Sequence, residues 1–311
     1  MPVFRRLMSF EQSLSRLPHA ILPDYSAPKR FEIPLEAMNR IAEGEMPIGS
    51  LRSRLGMVRK RGVSLVKNMR ESVKSVSDNP STPKTTATRH FLQRLTKIAN
   101  AIGVSPIGFV KLPRRFIFQG MGVAYDNAIV LAMEMDQDRI AKAPSAETMH
   151  MIMNTYDDLG IAANRIADFL KSNGYGAQAG HPLGGILLYP PLAQLAGIGW
   201  LGRHGLIITP EFGSRVRLAA VLTSIQNLPI AEGNEHSWVT EFCDACNRCV
   251  RDCPTGAILE RPVEHENGLV TQIANEKCFP YFMEYYGCTV CVKVCPFSFK
   301  SYNEIKKSFL G

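Results

Sequence analysis

The sequence predicts a mixed helix-and-strand protein, α/β or α+β, followed by a small domain organised by metal. Two observations carry that prediction. Helical and strand-like periodicities alternate between His90 and Thr223, and all eight cysteines fall within roughly 50 residues, from Cys243 to Cys295. With 311 residues, 45% of them hydrophobic, the chain can bury one medium core and carry a smaller appendage. The expected division is a helical extension over residues 1–85, to which no role is assigned, a cofactor- and substrate-binding domain over 86–238, and a cluster-bearing domain over 239–311.

Residues 1–85 read as short amphipathic helical pieces interrupted by Pro18, Pro23, Pro28 and Pro34, closing on the linker-like Ser77-Asp-Asn-Pro-Ser-Thr-Pro-Lys84. Phe91, Leu92, Leu95, Ile98, Ala99 and Ile102 share one helix face, and Gly103 suits the position after its end. Val104–Val110 and Ala128–Met133 read as strands, and a long helix is expected from Ala146 to Ser172, stopped by Asn173-Gly174. Gly176–Leu188 reads as a glycine-rich loop, Leu192–Ala196 as a short helix, and Leu206–Thr209 and Leu218–Thr223 as strands. No run approaches the roughly 20 apolar residues of a spanning helix. Arg5-Arg6 is followed by Glu11, Arg16 and Pro18 instead of an apolar stretch, so export is not expected and a cytoplasmic setting is.

The formal charge of +8 raises the question of nucleic acid. Much of it lies in Arg52, Arg54, Arg59, Lys60, Arg61, Lys67, Arg70 and Lys74. No aromatic interleaving or nucleic-acid motif accompanies it. The charge is read as a solvated helical face, or as a docking face for an acidic low-potential electron donor such as a ferredoxin or flavodoxin, rather than as a tRNA or DNA site.

The cysteines form Cys243-x2-Cys246-x2-Cys249-x3-Cys253-Pro254 and Cys278-x9-Cys288-x2-Cys291-x3-Cys295-Pro296. The first is the run of bacterial two-cluster ferredoxins, whose fourth cysteine serves the other cluster. Two 4Fe–4S clusters are expected, one on Cys243, Cys246, Cys249 and Cys295, the other on Cys253, Cys278, Cys288 and Cys291. Four disulfides would need a secreted chain, and zinc ribbons do not repeat this run. A ferredoxin would not require about 240 residues ahead of its clusters, which argues for a catalytic domain upstream.

The segment from Ala196-Gly-Ile-Gly-Trp-Leu-Gly-Arg-His-Gly to Leu218, with the two-cluster tail, resembles cobalamin-dependent reductive dehalogenases and, less closely, epoxyqueuosine reductase. Ala132-Met-Glu-Met-Asp-Gln-Asp138 and Ala143-Pro-Ser145 lean towards the dehalogenases, and the resemblance covers about residues 90–300. It implies a nitroreductase-like sandwich that holds cobalamin base-off, with the clusters relaying electrons to cobalt and a small molecule as substrate. It also implies Tyr156 as proton donor and Arg203 as the cation beside the substrate, with Asp157 as the rival donor. Packing at a helix start is the alternative for Tyr156, a helix cap or a pair with Glu211 for Arg203, and N-terminal helix electrostatics for Asp157 and Asp158. Gly184, Gly185, Gly199, Gly202 and Gly205 would let the backbone approach the corrinoid, with His181 beside it, and Glu211 and Arg215 would brace the loop facing the clusters. The rival functions are an epoxyqueuosine-reductase-like enzyme acting on tRNA, and a non-catalytic electron carrier. Flavin or another tetrapyrrole is the alternative cofactor. Residues 1–85 are read as a cofactor cover, a partner contact or a dimer interface.

Overall fold

The computed structural model describes residues 14–30 and 51–311, with side chains from residue 61 onward in the second stretch. The side chains of Arg52, Arg54, Arg59 and Lys60, and Pro34, lie outside the described residues. A four-stranded sheet forms the centre. Its strands are β1 (Ile107–Lys111), β2 (Asn127–Glu134), β3 (Ala177–Gly180) and β6 (Val216–Thr223), in the order β1-β2-β6-β3. Every pairing is antiparallel, with Ile129 opposite Val221 at the middle of the central pair. The fold is therefore α+β.

Both faces of this sheet are covered, which explains why its central strands are apolar along their whole length. Ile129, Leu131, Ala219 and Val221 point to one side. There they meet α2 (Arg89–Ala101) through Phe91 and Leu95, and α4 (Ala146–Ser172) through Leu159, Ile166 and Leu170. Thr88 caps α2 at Phe91 N–H, and Ser145 caps α4 at Thr148 N–H, after the short α3 (Gln137–Ala141). Ala128, Val130, Leu218 and Ala220 face the other way, onto Phe116, Ile117 and Leu192 of α5 (Tyr189–Leu195).

Two elements differ from the sequence expectation. Residues 177–180, read as part of a loop, form the fully buried edge strand β3. Alanine, glutamine and glycine carry little strand preference, and the pairing with β6, together with the Ser75 hydroxyl that accepts Ala179 N–H, supplies what the local sequence lacks. Among the described residues of 1–85, the helices are one 3-10 turn at Leu14–Arg16 and a 24-residue helix, α1 (Leu51–Lys74), longer than the short pieces expected. No proline falls between Leu51 and Lys74, so nothing interrupts it.

A hairpin of β4 (Trp200–Leu201) and β5 (Ile207–Ile208) leads towards the C-terminal region. That region contains α6 (Val239–Cys246), α7 (Arg248–Arg251), the β7 (Ile258–Glu264) and β8 (Val270–Ile273) hairpin, α8 (Asn275–Glu284), α9 (Val290–Val294) and α10 (Tyr302–Leu310). It has an apolar nucleus of its own: Trp238, Phe297, Tyr302 and Ile305 pack with Ile208 and Phe242 around Cys295. Metal is thus not its sole organiser. No described helix is long and apolar enough to cross a membrane.

Candidate active site and cluster-ligand sets

The cysteines group by mutual influence. Burial raises the Cys243 thiol, opposed by a backbone hydrogen bond from Arg203 and reinforced by Cys246. Burial with Cys243 and Cys246 pushes Cys249 up to about 12. Cys295 is likewise pushed up to about 12 by burial, with Cys243 and Cys249 adding to it and a hydrogen bond with Ser214 opposing. In the other group, burial and then Cys288 and Cys253 raise Cys278, while burial and Cys253 raise Cys288. Cys291 is pushed up by burial, by Cys288, and by Cys249, Cys278 and Cys253. These influences run along the two expected ligand sets, and Cys291 is also raised by Cys249 of the other set.

Cys253 is the exception. Burial raises it, but hydrogen bonds from Thr255, Ala257 and Ile258 outweigh burial and lower its pKa, with Ala257 N–H 3.3 Å from the sulfur. Among the described residues no three His, Cys, Asp or Glu side chains converge tightly enough to hold a single ion. A cubane attaches each thiolate to a different iron corner, so it calls for the wider sets that the eight cysteines form.

Upstream, the phenol of Tyr156 lies midway along α4 and not at a helix start. Its oxygen accepts a hydrogen bond from Arg217 Nη1 at 2.8 Å, and the guanidinium carbon stands 3.9 Å from the ring centroid. Arg217 projects from β6 and forms no ion pair with a carboxylate among the described residues; its second amino group reaches Met135 Sδ at 3.3 Å, and its buried Nε has no partner. Tyr156 also joins two apolar clusters. One contains Met135, Ile152, Val292, Leu206 and Cys291, and the other Leu65, Met69, Met153 and Leu183. Gly287, next to Cys288, lies against Ile152 and Met149 of the same helix. The cysteine set containing Cys291 is therefore the one adjoining Tyr156.

The cation that touches Tyr156 is thus Arg217, and Arg203 is placed elsewhere. Arg203 pairs with Asp244, not with Glu211, and donates to the Glu260 carbonyl at 3.1 Å. It borders a cavity of about 510 Å³ whose wall includes Trp200, Cys243 and Gln272. The sequence signal for Arg217 is a lone arginine inside the otherwise apolar strand Val-Arg-Leu-Ala-Ala-Val-Leu-Thr.

Asp157 is fully enclosed and faces α1. Its Oδ1 accepts from Ser64 (3.0 Å) and Asn68 (2.6 Å), and its Oδ2 from Arg61 (3.1 Å). Lying mid-helix, Asp157 and Asp158 do not serve a helix N-terminus. His181 is buried: its Nδ1 accepts Leu183 N–H at 3.0 Å, and its Nε2, without a partner, lies over Gly160. Burial pushes its pKa down to about 4, against the opposing influence of Leu183 and Asp157. Arg215 braces the cluster-facing loop, donating to Ser298 O at 2.8 Å and to Glu134 at 2.5 Å.

The glycines were tested as a corrinoid cradle by the space a Cβ would occupy. At Gly185 it would strike Tyr189, at Gly199 the Ile208 carbonyl, and at Gly202 Ile208 and His204. Gly205 and Gly184 have positive φ and face Ile273 and Met69. At Gly185, Gly199 and Gly202 the close approach on the Cβ side is made by the protein's own atoms, which accounts for glycine at these three positions without a ligand.

Two sets of four thiols on a compact tail define an iron–sulfur protein of the two-cluster class, and residues 242–299 match the family model described as a 4Fe-4S dicluster domain. The chain is 33% identical over 183 residues to the tetrachloroethene reductive dehalogenase of Sulfurospirillum multivorans, covering 56% of this chain and 36% of that protein. It is 33% identical over 114 residues to the epoxyqueuosine reductase of Listeria monocytogenes, covering 34% of this chain and 28% of that protein. Its fold matches the catabolic reductive dehalogenase NpRdhA in complex with 3-bromo-4-hydroxybenzoic acid, with a TM-score of 0.66 at 17% identity over 94% of this chain and 44% of that one. The chain is a relative of reductive dehalogenases and epoxyqueuosine reductases. It spans 28% to 44% of the length of these proteins.

Proposed function

We propose that this protein is an iron–sulfur-dependent reductase, most like a reductive dehalogenase, that replaces a carbon–halogen bond by carbon–hydrogen. Two electrons and one proton convert the halogenated carbon to C–H and release halide. The observation that carries the reading is the Tyr156–Arg217 pair in the same apolar cluster as Cys291. A guanidinium can only donate. Arg217 therefore occupies a lone pair of the phenol oxygen and leaves the phenol's own proton free for a substrate carbon. The phenolate that remains is stabilised by the same cation, which no carboxylate among the described residues neutralises. Electrons reach this end through the Cys253, Cys278, Cys288 and Cys291 set, the other cluster standing upstream.

Cobalamin is the separable half of the proposal. It rests on the resemblance to cobalamin-dependent dehalogenases and not on the five glycines, and it would supply the low-potential centre at which the bond is reduced. A ferredoxin or flavodoxin as donor and a cytoplasmic catabolic setting complete the reading. The epoxyqueuosine-like alternative needs Asp157 as donor, and the bonds to Arg61, Ser64 and Asn68 count against it.

The test is anaerobic reconstitution with iron and sulfide, titration with hydroxocobalamin, and assay against tetrachloroethene, which one relative is named for, and bromophenols, of the kind the NpRdhA complex holds. About eight irons per chain, one bound corrinoid and halide release support the reading. Eight irons without corrinoid or halide release would leave an electron carrier.

A further inference from the structure

We propose that α1, from the stretch to which the sequence assigns no role, is a wall of the reaction site: Leu65 and Met69 set which substrates fit against Tyr156, and Asp157 is the positioning residue that holds them there. The inference rests on the reductase reading and extends it to specificity.

Two adjacent stripes of α1 face α4. Ser64, Asn68 and Ser72 form a polar one at i, i+4, i+8, and Leu65 and Met69 an apolar one beside it. The polar stripe is bonded along its length. Ser64 and Asn68, with Arg61, surround the Asp157 carboxylate; Asn164 Nδ2 donates to Asn68 O at 3.0 Å, and Ser72 Oγ to Asn164 Oδ1 at 2.8 Å. Just past the helix, Ser75 Oγ accepts Ala179 N–H from the edge of the sheet.

Apolar surfaces slide past one another at small cost, whereas this seam is satisfied in one register only. A shift by a single residue, about 1.5 Å along the axis, would strip a buried carboxylate of its donors. The register so selected places Leu65 and Met69 with Met153 and Leu183 around Tyr156. Met69 also meets the glycine-rich loop, its Cε 3.6 Å from where a Cβ on Gly184 would stand. A wall of aliphatic and thioether groups accepts apolar, polarisable substituents and rejects charged ones. Asp157 thus affects the reaction through the wall and not by giving a proton.

The test uses the full-length reconstituted protein and two independent readouts. Hydrogen exchange needs no substrate: Asp157→Asn, which cannot pair with Arg61, is expected to speed exchange of α1 amides about tenfold and leave α2 unchanged. Specificity is read with bromophenols carrying ring alkyl groups of increasing size. Met69→Ala and Leu65→Ala are expected to shift kcat/KM about tenfold towards the larger members, mainly through KM, with Met69→Leu keeping the original preference. Unchanged α1 exchange in Asp157→Asn overturns the positioning role. Unchanged size preference in Met69→Ala and Leu65→Ala, with full iron content, overturns the wall. If the unmodified protein turns over no halogenated compound, the reductase reading falls, and calorimetric binding of the same series still decides the wall.

Discussion

Arg203 and Arg217 lie 14 positions apart, one on a tight turn before the cluster domain and one on the central strand β6. Arg203 is neutralised by Asp244 and bonded to the Glu260 carbonyl, and its backbone N–H serves Cys243. Arg217 meets no carboxylate among the described residues, lies against the Tyr156 ring and donates to its oxygen. The contrast shows how a structural cation differs from one available to chemistry. A guanidinium already matched by a carboxylate adds little to the stabilisation of a new anion, while one held among apolar side chains and a phenol retains its field for charge that develops later.

That comparison can be broken experimentally. The largest effect is expected for Tyr156→Phe, which removes the only proton the pair can give; kcat in halide release should fall by about 10²–10⁴-fold with iron content unchanged. Arg217→Ala should follow at about 10²–10³-fold in kcat, with Arg217→Lys in between, since a lysine restores the charge without the planar fork. Equal losses in Arg203→Ala and Arg217→Ala would end the distinction between the two arginines.

A smaller effect concerns stability. His181 is neutral when folded, with its pKa at about 4. The unfolded imidazole titrates near 6.5, so between those values the unfolded chain binds a proton that the folded one does not. Stability is fully present above about 6.5 and declines as pH falls towards 4, by at most ~3 kcal/mol. The drop in Tm between pH 7 and pH 5 should narrow in His181→Asn. Smallest of all, Arg203→Ala should lower turnover less than about tenfold, since an ion pair open to solvent on its Asp244 side is worth about 1 kcal/mol, and should act on the midpoint potential of the cluster bound by Cys243.

The two faces of α4 show which kind of information sequence carries. Towards the sheet the helix is apolar at Leu159, Ala163, Ile166 and Leu170, and its expected span from Ala146 to the Asn173-Gly174 stop agrees with the observed ends. Towards α1 it presents Tyr156, Asp157 and Asn164, whose partners are about 90 residues distant. Charge and polarity at those positions were visible, but not their use. Asp157 accordingly reads in sequence as the rival proton donor, whereas in the fold Ser64, Asn68 and Arg61 surround it. The strand Ala177–Gly180 escaped notice for a related reason: nothing in its four residues favours a strand apart from the β6 edge beside it.

What the sequence determined by itself was whatever is decided within a few residues. The repeated run of cysteines marks the two-cluster region, which the family model matches over residues 242–299, and the periodicities set the long helix and the central strands. Tertiary structure alone decided which arginine meets Tyr156, what encloses Asp157, and that a helix from the unassigned N-terminal stretch lines the site. These are contacts between elements remote in sequence. Their selection depends on burial and on satisfying every buried polar group at once, which no local pattern encodes.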